Sequence, residues 1–132
     1  MKMKYAVAVL LFLGSCREAD LPTPESENII GDWEWIESRG GNVGDRITPE
    51  STGNESLLEI KDNSRFKRFE NGKKESSGKW SIKVSDVDYA DYIIDFGDET
   101  NGSYWVSFLG KDTLSLYLEK CRDCRTSIYA RK

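Results

Sequence analysis

Histidine is absent from all 132 residues. That removes the side chain most often used for proton transfer near neutral pH, and the commonest metal ligand. Proline occurs three times and cysteine three times, so neither a polyproline nor a disulfide-rich framework is available. No apolar run approaches the ~20 residues that a membrane-spanning helix requires. Basic character is also scarce: 19 Lys and Arg face 23 Asp and Glu, for a formal net charge of −4. The densest basic runs, Arg65-Phe66-Lys67-Arg68 and Lys73-Lys74, sit beside acids, which argues against the basic stripe that nucleic-acid binding needs.

What is present begins with an export signal. Met1-Lys2-Met3-Lys4 is a short basic segment, and Tyr5 to Leu13 is apolar and ends in Gly14-Ser15-Cys16. This has the form of a secretion leader over residues 1–15. Leu13-Gly14-Ser15-Cys16 resembles the bacterial lipobox, which implies that Cys16 becomes the first mature residue and carries the lipid. Acyl chains, at about 0.8 kcal/mol for each buried methylene, would hold such a protein on the membrane. Arg17 rather than Asp after the cysteine favours the outer membrane, by resemblance to the sorting pattern of diderm bacteria. Either face, periplasm or cell surface, remains open. Removal of the leader takes Lys2 and Lys4 and leaves 17 cations against 23 acids.

Residues 16–28 contain Pro22, Pro24 and four acids and read as a flexible tether. One domain is expected over 29–132, since the chain supports a single modest core. Strand patterns cover Ile30 to Ser38, Ser56 to Lys61, Arg65 to Glu70, Lys73 to Val84, Tyr92 to Phe96, Ser103 to Leu109, a run around Leu114, Leu116 and Leu118, and Thr126 to Arg131. Turn residues separate them. Asn71-Gly72 is the strongest hairpin signal. In Ser103 to Leu109 both faces are apolar, so the inward side is not assignable. Arg39 to Asn54 is a long connection suited to a lid, with one helical turn expected at Thr48-Pro49-Glu50. Eight consecutive strands predict an all-β, antiparallel up-and-down barrel.

Gly31-Asp32-Trp33, a long loop and seven further strands resemble the lipocalins and their calycin relatives. The lipobox, Gly31-Asp32-Trp33-Glu34-Trp35, Gly40-Gly41, Thr48-Pro49-Glu50-Ser51, Glu70-Asn71-Gly72-Lys73, Asp112-Thr113-Leu114 and Tyr129-Ala130-Arg131 are similar to the lipocalin-like lipoproteins of Bacteroidetes-type bacteria. The resemblance implies that Gly31 and Trp33 open the barrel at its closed end, with Trp33 packed against Arg131. It also implies an open end that takes a small hydrophobic ligand. The chain is shorter than a typical lipocalin and has no helix after its eighth strand, so a filled interior is the competing expectation.

For a ligand site the aromatic set suggests Trp35, Phe66, Trp80, Tyr92 and Phe108 as walls and Arg46 as an anion contact at the mouth. The alternative is that these aromatics are simply core. Asp86-Val87-Asp88, Asp91 and Asp98-Glu99 fit no calcium-loop spacing, and no metal or cofactor is expected. Cys121-Arg122-Asp123-Cys124 falls at a strand-to-strand turn, where a disulfide is preferred over a redox or zinc role, because a reactive C-x-x-C wants a helix N-terminus. The expected protein is therefore a non-catalytic, lipid-anchored monomer that binds a small hydrophobic ligand. An envelope module contacting protein or glycan through a solid barrel is the alternative, and a thiol or metal stress module is the weaker one.

Overall fold

Short alternating runs punctuated by glycine and Asn/Asp turns build an all-β chain. The computed structural model describes residues 27–41, 44–97 and 102–132. The expected leader, Cys16 and most of the tether lie outside the described residues, as do Asp98 and Glu99. Strands β1 (Gly31–Gly40) and β2 (Asp45–Ile47) precede a helical turn, α1 (Pro49–Thr52). There follow β3 (Ser56–Ile60), β4 (Arg65–Glu70), β5 (Lys73–Lys79), β6 (Ser81–Val84), β7 (Tyr92–Asp95), β8 (Ser103–Phe108), β9 (Thr113–Leu118) and β10 (Arg125–Arg131). Among the described residues no helix is long and apolar enough to cross a membrane.

The strand order is β5-β4-β3-β1-β10-β9-β8-β7-β6, with β2 paired to β1. Every pairing is antiparallel. First and last strands meet, and the two edges left over, β5 and β6, are joined through Trp80. The result is a nearly closed antiparallel barrel of nine strands in one sheet. The sequence pattern suggests eight, with Lys73 to Val84 continuous, but that run breaks at Trp80 because it changes partner there. Its first half pairs with β4 and its second with β7. The Trp80 backbone N–H donates to the Ser64 carbonyl at 2.9 Å and its indole N–H to the Lys61 carbonyl at 2.9 Å. Those bonds hold the residue to the β3–β4 turn instead of to the ladder of β7.

Asn71 (φ 52°) and Gly72 (φ 83°) both take positive φ, as a two-residue hairpin turn of the primed type demands. The connection after β1 is less free than a lid. β2 extends the wall beside the end of β1, and Thr48 caps α1 through a reciprocal pair of bonds with Ser51.

The interior is built from one face of each strand. Trp33, Leu58, Ile60, Phe66, Ile94, Phe96, Val106 and Leu114 are fully buried. Phe66 and Phe96 meet edge to face at 4.8 Å, and Gly78 leaves room for the Phe66 ring, since a Cβ there would come within 3.2 Å of Cε1. In β8, whose two apolar faces conflict in the sequence, Val106 is buried and Tyr104 and Phe108 pack on the core. Trp105 faces outward.

Candidate functional site

The closed end is assembled from residues a hundred positions apart. Trp33 and Arg131 are cross-strand partners in β1 and β10. The Arg131 guanidinium lies over the Trp33 ring and donates to the carbonyls of Ile30 (2.9 Å), Asn28 (2.7 Å) and Lys111 (3.1 Å). The Trp33 indole N–H donates to the Ile29 carbonyl at 2.7 Å. Gly31 is needed beside them, because a Cβ at that position would sit 2.5 Å from Arg131 Nη1. These groups pack together at one end of the barrel.

The other half of the interior is polar. Alternation along β4 turns Phe66, Arg68 and Glu70 toward the lumen, with Arg68 opposite Leu58 and Glu70 opposite Ser56. The Arg68 guanidinium carbon stands 5.2 Å from the Phe96 ring centre and 5.9 Å from that of Tyr104. Among the described residues it has no carboxylate partner. Glu70 is engaged elsewhere, accepting from the Ser56 hydroxyl at 2.5 Å. Tyr129 enters from β10. Burial pushes its phenol up to about 12, with Arg68 opposing the shift and Tyr104 and Glu70 adding to it. Its hydroxyl therefore stays protonated at physiological pH and can donate. Trp35, opposite Tyr129, closes the group, its indole N–H donating to Ser38 Oγ at 2.8 Å, which is bonded in turn to Ser127 Oγ at 2.8 Å.

Of the ligand residues suggested by the sequence, only Trp35 belongs to this group. Phe66 and Tyr92 are buried in the core, and Trp80 and Phe108 pack against it. Arg46 is on the outer wall, where it and Arg39 both pair with Glu37. Arg39 chiefly, then Arg46, holds the Glu37 carboxyl below the usual carboxylate range against the opposing effect of burial. Cys121 and Cys124 are joined in a disulfide at the β9–β10 turn. Among the described residues no three Cys, Asp or Glu side chains cluster as metal ligands would. Sequence reasoning passed over Arg68, Tyr104 and Tyr129. The signal for Arg68 was the period of two that runs inward from Phe66, masked by its place in a basic run.

Among the clefts on the outer surface, two are lined by aromatic or apolar side chains. One, of about 690 Å³, lies over β8 and β9 around Trp105 and Tyr117. The other, about 500 Å³, lies beside α1 around Ile36, Leu57 and Phe69 and is lined by Glu34, Glu50, Glu55 and Glu59. No family model, curated protein or solved structure matches this chain.

Proposed function

We propose that this chain is a lipocalin-like lipoprotein, anchored through Cys16 in the outer membrane, that carries a small apolar ligand with an acidic head group in the open half of its barrel. It is non-catalytic in this reading and acts as a monomer. One observation carries it: Arg68 stands inside the barrel against the Phe96 and Tyr104 rings and, among the described residues, has no carboxylate partner. A half-buried guanidinium gains from an anionic partner, and its planar fork suits a carboxylate or phosphate. The protonated Tyr129 hydroxyl supplies a further donor, and Trp35 offers apolar wall for the ligand's tail.

Binding of cis-parinaric acid, followed by its fluorescence, tests this. The wild-type protein should bind it, and Arg68→Met should weaken binding by about tenfold or more, equivalent to about 1.4 kcal/mol. Arg68→Met should also leave the unfolding midpoint unchanged or raise it, because a lone semi-buried charge is removed. Absence of binding, or equal binding by the variant, defeats the barrel site. Incorporation of labelled fatty acid that is lost in Cys16→Ser tests the anchor separately. A second reading, an envelope interaction module, is favoured by the aromatic cleft on the outer wall.

A further inference from the structure

Trp105 and Tyr117 are cross-strand partners on the outer face of β8 and β9. Their ring centres are 6.1 Å apart and their planes 13° from parallel. Tyr89, from the β6–β7 connection, stands edge-on to Trp105 at 5.3 Å and is 70% exposed. These three rings line the 690 Å³ cleft together with the hydroxyl residues Ser107, Ser115 and Thr126 and the cations Lys120 and Arg122. That volume falls within the ~300–1,000 Å³ of small-molecule sites.

Three features separate this cleft from an ordinary surface hollow. The Trp105 indole N–H is buried and has no hydrogen-bond partner among the described residues, an arrangement that is costly for a folded protein to keep. The wall that bears Lys120 and Arg122 is held in place. The Tyr117 hydroxyl donates to the Cys121 carbonyl at 2.6 Å and reaches that of Arg122 at 3.3 Å, and the Cys121–Cys124 disulfide closes the same turn. Finally, among the described residues no acid lines the cleft, although the chain carries 23 acids against 19 cations. The cleft beside α1 is instead lined by four glutamates.

We infer that the Tyr89–Trp105–Tyr117 cleft binds an acidic saccharide. The C–H face of a sugar ring packs on an aromatic face. Its hydroxyls match Ser107, Ser115 and Thr126, and its carboxylate pairs with Lys120 or Arg122. The site is on the opposite side of the barrel wall from Arg68 and stands whether or not the lumen holds a ligand.

The test is titration of the purified protein with trigalacturonic acid and with sialyllactose, read by tryptophan fluorescence and saturation-transfer NMR. The trimethyl ester of trigalacturonic acid, maltotriose and a hexaglutamate peptide are run alongside. At least one acidic saccharide should bind, and the ester and maltotriose should bind about tenfold or more weakly. Tyr89→Ala and Lys120→Ala/Arg122→Ala should each weaken binding by a similar factor. All three substituted side chains are exposed, so unfolding midpoints should match the wild type and loss of binding can be read directly. No binding by either acidic saccharide, equal binding by maltotriose, the ester or the peptide, or unchanged affinity in both variants overturns the proposal.

Discussion

The guanidinium carbon of Arg131 rests 4.3 Å from the ring centre of Trp33, joining the end of the last strand to the start of the first. Cation–π attraction of this kind is worth about 0.5–2 kcal/mol, and Arg131 also serves three backbone carbonyls. Trp33→Ala should cost about 3–5 kcal/mol, as expected for a fully buried indole. Urea unfolding of Trp33→Ala, Arg131→Ala and the double variant should give a favourable coupling energy between the two. Strict additivity would show that the stacking contributes nothing.

Gly31 is constrained by backbone and space together. Its φ is +147°, where side chains are strained, and a Cβ would meet Arg131 Nη1. Gly31→Ala should destabilise by about 1–3 kcal/mol or more. Combining it with Arg131→Ala removes the clash but not the strain, so part of the loss should persist. A Gly31→Ala midpoint equal to that of the wild type would contradict this geometry.

Tyr129 makes alkaline stability testable. Its folded-state pKa is raised from 10.0 to about 12, so the stabilisation is fully present below pH 10 and is lost as pH rises toward 12. The unfolded chain ionises its phenol over that window while the folded chain resists. The difference corresponds to about 2–3 kcal/mol, an upper value because part of the residue still meets solvent. Tyr129→Phe should flatten the fall in stability between those pH values. Identical alkaline profiles for the two proteins would refute it.

Thr48 accepts from the Ser51 backbone N–H at 3.1 Å, and the Thr48 N–H donates to Ser51 Oγ at 2.9 Å. Thr48→Ala should therefore cost about 1 kcal/mol. Faster amide exchange confined to residues 49–53 is the expected signature. Unchanged exchange there would mean that the cap does not hold the turn.

Much of the barrel was legible from local pattern. Strand runs, the Asn71-Gly72 hairpin and the capped turn at Thr48-Pro49 each depend on residues within a few positions of one another. The pairing of Trp33 with Arg131 came instead from resemblance, since no periodicity links residues so far apart. The candidate site was far less readable. Selecting aromatics for pocket walls drew in Phe66 and Tyr92, which are core, while Arg68 looked like part of a surface run.

By itself the sequence determined where strands form and how adjacent ones turn, because alternation and turn chemistry act over a few residues. The tertiary structure alone decided that the run from Lys73 to Val84 changes partner at Trp80, because that depends on strands meeting from opposite ends of the sheet. It also decided that Arg68 faces the lumen with no carboxylate partner among the described residues. Both faces of β8 are apolar for the same kind of reason: Tyr104, Val106 and Phe108 meet the core, while Trp105 meets Tyr117 and Tyr89 on the outer wall, and only cross-strand register brings those rings together.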